Sequence, residues 1–240
     1  MNQITSAKAS RTLVAFLSSL ILSILLVISQ EYHGQLLSNK YKAQLLARDL
    51  KSSSDMLTQL ARLHVATGQG QYFDYFQMLS DARAGAEPLP KNINVYFWDQ
   101  VIAGQVEYQA SDIHFALKDE LAMLALPNDI ENKFEYALNL SDTLIGKELD
   151  AMYRLNNQTP SHTVDTTDSQ HHIMTSLMDQ SYLSAKANIM YMLQQFTELS
   201  NQYFERKLDN LASVRLIVII IFIGSILWFA AESLALFVHY

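Results

Sequence analysis

Six side chains carry the most chemistry in this 240-residue sequence. Asp55, Thr58 and Arg62 recur at three- to four-residue spacing, with Gln59 beside Thr58, so one helix face presents an acid, a hydroxyl and a cation in a row. Tyr182 and Lys186, four residues apart, share a face of a later helix. Asp142 belongs to a third helix whose apolar side points inward. If these faces meet inside a bundle they form a polar layer. Buried charges persist only when paired. Such a layer either binds a small polar or ionic ligand or is a salt-bridge network that fixes helix register. Both versions need Arg62 and Lys186 to face inward.

Trp98, with Tyr72, Tyr75, Tyr96 and Phe97, supplies enough aromatic surface to wall an apolar pocket, or simply to fill a core. His162, His171 and His172, with Asp165 and Asp168, fit no standard zinc spacing, so no metal site is expected. Gly68-Gln69-Gly70 is a helix stop. No Lys or Ser/Thr follows it at phosphate-loop spacing. Nucleophile-elbow and metalloprotease motifs are missing too, so the chain is expected to be no enzyme and to carry no cofactor. There is no cysteine, which excludes disulfides.

The elements that must position these residues are helical. Glycine is scarce, the four prolines (Pro88, Pro90, Pro127, Pro160) mark the breaks, and strand-like alternation is confined to a short piece at residues 94–96. Leu46, Leu50, Leu57 and Leu60 predict one helix running to Thr67, where Gly68 and Gly70 stop it. Residues 72–83 read as a short helix, 92–104 as a segment packed across the bundle, and 112–126 as a helix with Phe115, Leu117, Leu121 and Leu124. Residues 128–155 read as a helix capped by Asn128 with Glu131, carrying Phe134, Leu138, Ile145 and Met152 inward. After a polar loop at residues 157–168, a last helix starts near His171. It carries Ile189, Leu193, Phe196 and Tyr203 on one face and has no evident break. The expected fold is all-α, an antiparallel helical bundle flanked by two transmembrane helices.

Residues 12–29 and 216–231 contain no charged side chain. About 20 helical residues cross a hydrocarbon core, so both stretches are membrane-span candidates. The first is longer than the apolar core of a usual signal peptide and lacks a clear cleavage site, which favours an uncleaved anchor. Lys8 and Arg11, with no acid among the first eleven residues, place the N-terminus in the cytoplasm by the positive-inside rule. Arg206, Lys207 and Arg215 argue the other way, but charge bias counts least beside long translocated segments. The expected organisation is a cytoplasmic N-terminus (1–11), a transmembrane helix (12–30), an extracytoplasmic helical domain (31–211) and a second transmembrane helix (212–238). Residues 31–211 hold every acid except Glu232, and that excess of negative charge excludes nucleic acid as a partner.

The run Ser53-Ser54-Asp55-Met56-Leu57-Thr58-Gln59-Leu60-Ala61-Arg62, then Val65-Ala66-Thr67-Gly68, then Tyr72 and Tyr75, resembles the opening of a helical extracytoplasmic sensor domain. That domain occurs in bacterial sensor histidine kinases, methyl-accepting chemotaxis receptors and membrane-bound diguanylate cyclases. Arg83, Gly85, Pro88, Pro90 and Phe97-Trp98-Asp99 fill later places of its pattern. So do Ser141-Asp142-Thr143-Leu144, Glu148, Ala151-Met152, Tyr182, Ala185-Lys186 and Ile189-Met190. Leu89, Leu183 and Met192 depart from it. The resemblance implies a sensory input module in the bacterial inner membrane, a parallel homodimer, and a small-molecule or periplasmic protein ligand for a periplasmic domain. No output module follows the second span in this sequence. The chain is then the input half of a larger receptor in signal transduction, of the two-component or chemotaxis kind, or a stand-alone relative. The alternative from another class is a membrane-anchored periplasmic interaction protein with no signalling output.

Overall fold

The computed structural model describes residues 2–91, 94, 96–156 and 166–237. The fold is all-α. Its helices are α1 (Asn2–Thr67), α2 (Gly70–Arg83), α3 (Phe97–Ile102), α4 (Leu117–Met123), α5 (Asn128–Asn156), α6 (Thr166–Ser176) and α7 (Gln180–Phe237). Among the described residues there is no β-strand, only two isolated bridges, Ala84 with Ala116 and Pro90 with Ala110. The chain divides into two compact units, Met1–Tyr41 with Asn201–Tyr240, and Lys42–Ser200.

In the unit Lys42–Ser200 the side-chain pairings give the topology. Thr58 meets Glu148 and His64 meets Asn156, so α1 and α5 run the same way. Arg83 meets Ser141 while Phe73 packs on Tyr153, so α2 runs against α5. Ser54 meets Lys186 and Thr58 meets Tyr182, so α7 runs against α1. This is an up-down-up-down bundle of α1, α2, α5 and α7. Its core takes Leu46, Leu50, Leu57 and Leu60 from α1, Phe76 and Leu79 from α2, Phe134, Leu144 and Met152 from α5, and Ile189, Leu193 and Phe196 from α7. The Phe134 and Phe196 rings lie 5.1 Å apart, within the range where aromatic pairs attract beyond their buried area.

Several boundaries differ from the sequence reading, each for a local reason. α1 does stop at Thr67: Gly68 takes the left-handed conformation (φ 69°) and its N–H bonds to the His64 carbonyl. Gly70, however, opens α2 rather than extending the stop. The helix expected over 112–126 shrinks to Leu117–Met123, because the chain before it pairs with residues 84–91 instead. Leu89 donates to the Ile113 carbonyl, Ser111 to Leu89 and Lys91 to Gln109. Gly85 (φ 78°) lets that segment close in, since a Cβ there would lie 3.0 Å from the Ala116 Cβ. α5 starts at Asn128, so its first carbonyl acceptor is Pro127, which takes the N–H groups of Ile130 and Glu131. Asn128 is thus the first helical residue, one place past the cap expected of it. The last helix is not continuous from His171. Leu177 and Met178 form a turn, and Asp179 caps α7 by accepting the Tyr182 N–H at 2.7 Å.

The other unit pairs the first part of α1 with the last part of α7. Both carry a stretch long and apolar enough to cross a membrane. Their large side chains face outward: Leu13, Ile21 and Val27 on α1, and Ile217, Ile220 and Leu227 on α7, are exposed. Ala15 is buried, and Ser18 and Ser19 of α1 both reach Ser225 of α7, at 2.7 and 2.8 Å. Phe16 packs on Phe229, and Lys40 bridges to Glu205 at 3.0 Å. Phe204, rather than the expected Tyr203, is the fully buried aromatic of this part of α7.

Candidate ligand cleft

α1 and α7 bring five of the six predicted layer residues into one neighbourhood. Lys186 Nζ pairs with Asp55 at 3.0 Å and donates to the Ser54 carbonyl (2.7 Å), Ser54 Oγ (3.0 Å) and Thr58 Oγ1 (3.0 Å). Asp55 also accepts from Lys51, one turn earlier, at 2.7 Å. Thr58 Oγ1 lies 2.8 Å from the Tyr182 hydroxyl. The Arg62 guanidinium sits over the Tyr182 ring, 5.5 Å from its centroid, and donates to the Leu177 carbonyl at 2.9 Å.

Asp142 does not join this group. Its carboxylate pairs with Arg83 of α2, which also donates to Ser141 Oγ at 2.9 Å. The reason is rotational: the buried stripe of α5 is Phe134, Ala137, Ser141, Leu144, Glu148 and Ala151, so Asp142 flanks it on the α2 side. Leu138 and Ile145, expected inward, are only half-buried beside that pair.

Glu148 takes the place intended for Asp142. It is 1% exposed and accepts from Thr58 at 2.8 Å and from Tyr182 at 2.5 Å. A signal for it was present: an acid three and four residues from apolar positions, on the seven-residue repeat of Phe134, Ser141 and Glu148 in α5. Burial pushes the Glu148 carboxyl above the usual carboxylate range, although the two hydroxyls and the charges of Lys186 and Arg62 pull it down. Burial, then Glu148 itself, push the Tyr182 phenol well up. Burial also lowers Lys186, opposed by its bonds to Asp55. At half-buried Asp55 burial acts upward, but the bonds from Lys51 and Lys186 outweigh it and hold the carboxyl below its ordinary value.

Beside this network lies a cleft of about 320 Å³, lined by Asp55, Thr58, Gln59 and Arg62 of α1 and by Tyr182, Leu183 and Lys186 of α7. That volume suits a small molecule. A second cleft of about 300 Å³ adjoins Arg83 and Asp142. The aromatic group is elsewhere. Tyr75, Phe97, Trp98 and Tyr108 form one ring cluster, with Trp98 6.3 Å from Tyr75 and 6.2 Å from Tyr108. Tyr108 fills the place expected of Tyr72, and Tyr96 is exposed. Trp98 is buried, which is the behaviour of core. His171 and His172 are exposed on α6, while His162 and Asp165 lie outside the described residues. Among the described residues no three His, Cys, Asp or Glu side chains gather closely enough to hold a metal ion.

Compared with known proteins, the chain matches no family model, no curated protein and no solved structure.

Proposed function

We propose that this chain is the sensory input module of a bacterial transmembrane receptor, with the α1–α7 cleft as its ligand site. One observation carries the reading. The cleft is walled by α1 and α7 alone, and each of these helices also contains one of the two apolar stretches. A ligand acts only through different affinity for two arrangements of the protein. Here it would touch both helices at once, and the arrangements would differ by about 1–2 Å of sliding or rotation of one helix on the other. The resemblance of residues 53–75 to receptor sensor domains supports the same reading, including a two-pass chain in the inner membrane, a cytoplasmic N-terminus, a periplasmic domain and a parallel homodimer. The partners are then the lipid bilayer, a second copy and a small ligand.

Two measurements test this. Alkaline phosphatase fused after Gly104 is expected to be active, and β-galactosidase fused there inactive. The opposite pattern puts the domain in the cytosol and ends the proposal. Second, a kinase output joined to the C-terminus is expected to lose its response when two glycines are inserted after Asn210. A normal response would end the idea that a rigid last helix carries the signal, and no response even without the glycines would instead favour an anchored interaction protein.

A further inference from the structure

The donors and acceptors around the cleft do not balance, and the imbalance names a ligand class. Arg62 carries five N–H donors. Its one hydrogen bond among the described residues is to the Leu177 carbonyl, and its buried Nε has no partner. Lys186 is the opposite case: three hydrogens face four acceptors within 3.0 Å. The unspent capacity therefore belongs to Arg62. Arg62 and Lys186 set two positive charges on the cleft against one acid, Asp55. The balance suits one negative charge, and Asp55 opposes a second. Leu183 supplies an apolar wall. A guanidinium is planar and matches a carboxylate with two parallel bonds.

Behind the cleft there is a second mismatch. Thr58 Oγ1, Tyr182 Oη and Glu148 Oε1 lie within 2.5–2.8 Å of one another. With Glu148 ionised, two hydroxyl hydrogens serve three edges, and Thr58 also faces the Ser54 carbonyl at 2.9 Å. A protonated Glu148 supplies one of the two missing hydrogens, so that three hydrogens serve these four contacts. The charged groups that act on Glu148 are Arg62 of α1, Lys186 of α7 and Arg83 of α2, with the Tyr182 phenol against it. Those on α1 and α7 are the cations an anion in the cleft would neutralise. Once neutralised, they no longer favour the ionised carboxyl.

We propose that the cleft takes up a small monocarboxylate together with one proton, the carboxylate binding at Arg62 and the proton, drawn from solvent, settling on Glu148. This rests on the cleft being a ligand site.

The experiment is a thermal-shift titration of the full chain in detergent, at about pH 8 and about pH 5.5. The probes are acetate, propionate and benzoate, with inorganic phosphate and propylamine as comparisons. At least one monocarboxylate is expected to raise Tm, with affinity increasing by up to about tenfold per pH unit of acidification while the proton is taken up. Arg62→Gln is expected to weaken binding by about tenfold or more, and Arg62→Lys, which keeps the charge and loses the fork, by less. Glu148→Gln is expected to bind with no pH dependence. No shift with any carboxylate, an equal shift with phosphate, or unchanged pH dependence in Glu148→Gln would overturn the proposal. A shift with propylamine alone, lost in Asp55→Asn, would overturn it while leaving the cleft as a ligand site. Silence from every probe would remove both.

Discussion

Arg83 on α2 and Arg62 on α1 are both guanidiniums drawn into the domain interior, yet they are used in opposite ways. Arg83 is 5% exposed and meets a hydroxyl and a carboxylate, Ser141 and Asp142, on consecutive residues of α5. Burial lowers its basicity, and Asp142 and Glu148 restore part of it. Arg62 has a single carbonyl, an aromatic face beneath it and an unpartnered Nε. Each stands beside a cleft of similar size. What separates a cation that holds helices together from one free to hold something else is therefore the accounting of its donors, not the size of the space nearby.

The largest effect is expected at the arginine that has a carboxylate partner. Asp142→Ala leaves the Arg83 charge buried without its carboxylate and should lower stability by roughly 1–3 kcal/mol, read from the urea midpoint. A loss under about 0.5 kcal/mol would mean that Arg83 is not held this way, and the contrast would dissolve. A smaller effect, with a definite sign, belongs to Glu148. Its folded pKa lies above its ordinary value of 4.5. Between those two values the folded state keeps a proton that the unfolded chain has lost, so stability falls as pH rises through that window. Glu148→Gln should flatten the slope and gain on the wild type across it. An unchanged slope would place the titrating group elsewhere. The smallest effect concerns Lys51, whose pair with Asp55 is about half exposed at both ends. Lys51→Ala should cost less than about 1 kcal/mol, and less again at high salt. A larger cost would mean that Asp55 depends on Lys51 rather than on Lys186.

Much of this site was legible in the residues. Asp55, Thr58 and Arg62 on one face, with Tyr182 and Lys186 on another, is local helix geometry, and Gly68 stops α1 as its backbone freedom suggests. What was not legible depends on rotation and on distant partners. Choosing Leu138 and Ile145 as the inward face of α5, instead of Ala137 and Leu144, turns the helix by one position. That exchanges Glu148 for Asp142 as the buried acid. The shortening of α4 could not be foreseen from residues 112–126, because the Leu89 N–H captures the Ile113 carbonyl that would have extended it. The break before α7 was nearer to hand, since Asp179 three residues ahead of Tyr182 has the spacing of a cap.

The serines where the apolar parts of α1 and α7 meet have a mechanical consequence. Ser18 and Ser19 each donate to the Ala15 carbonyl, at 2.9 Å in both cases, so neither depends on Ser225 for its own hydrogen. Ser225 has one hydrogen and two oxygens within reach, set about 100° apart around α1. It can hand that hydrogen from one to the other with no net bond broken. A small roll of one helix against its neighbour then meets little resistance at this point, and the contact behaves as a bearing rather than a latch.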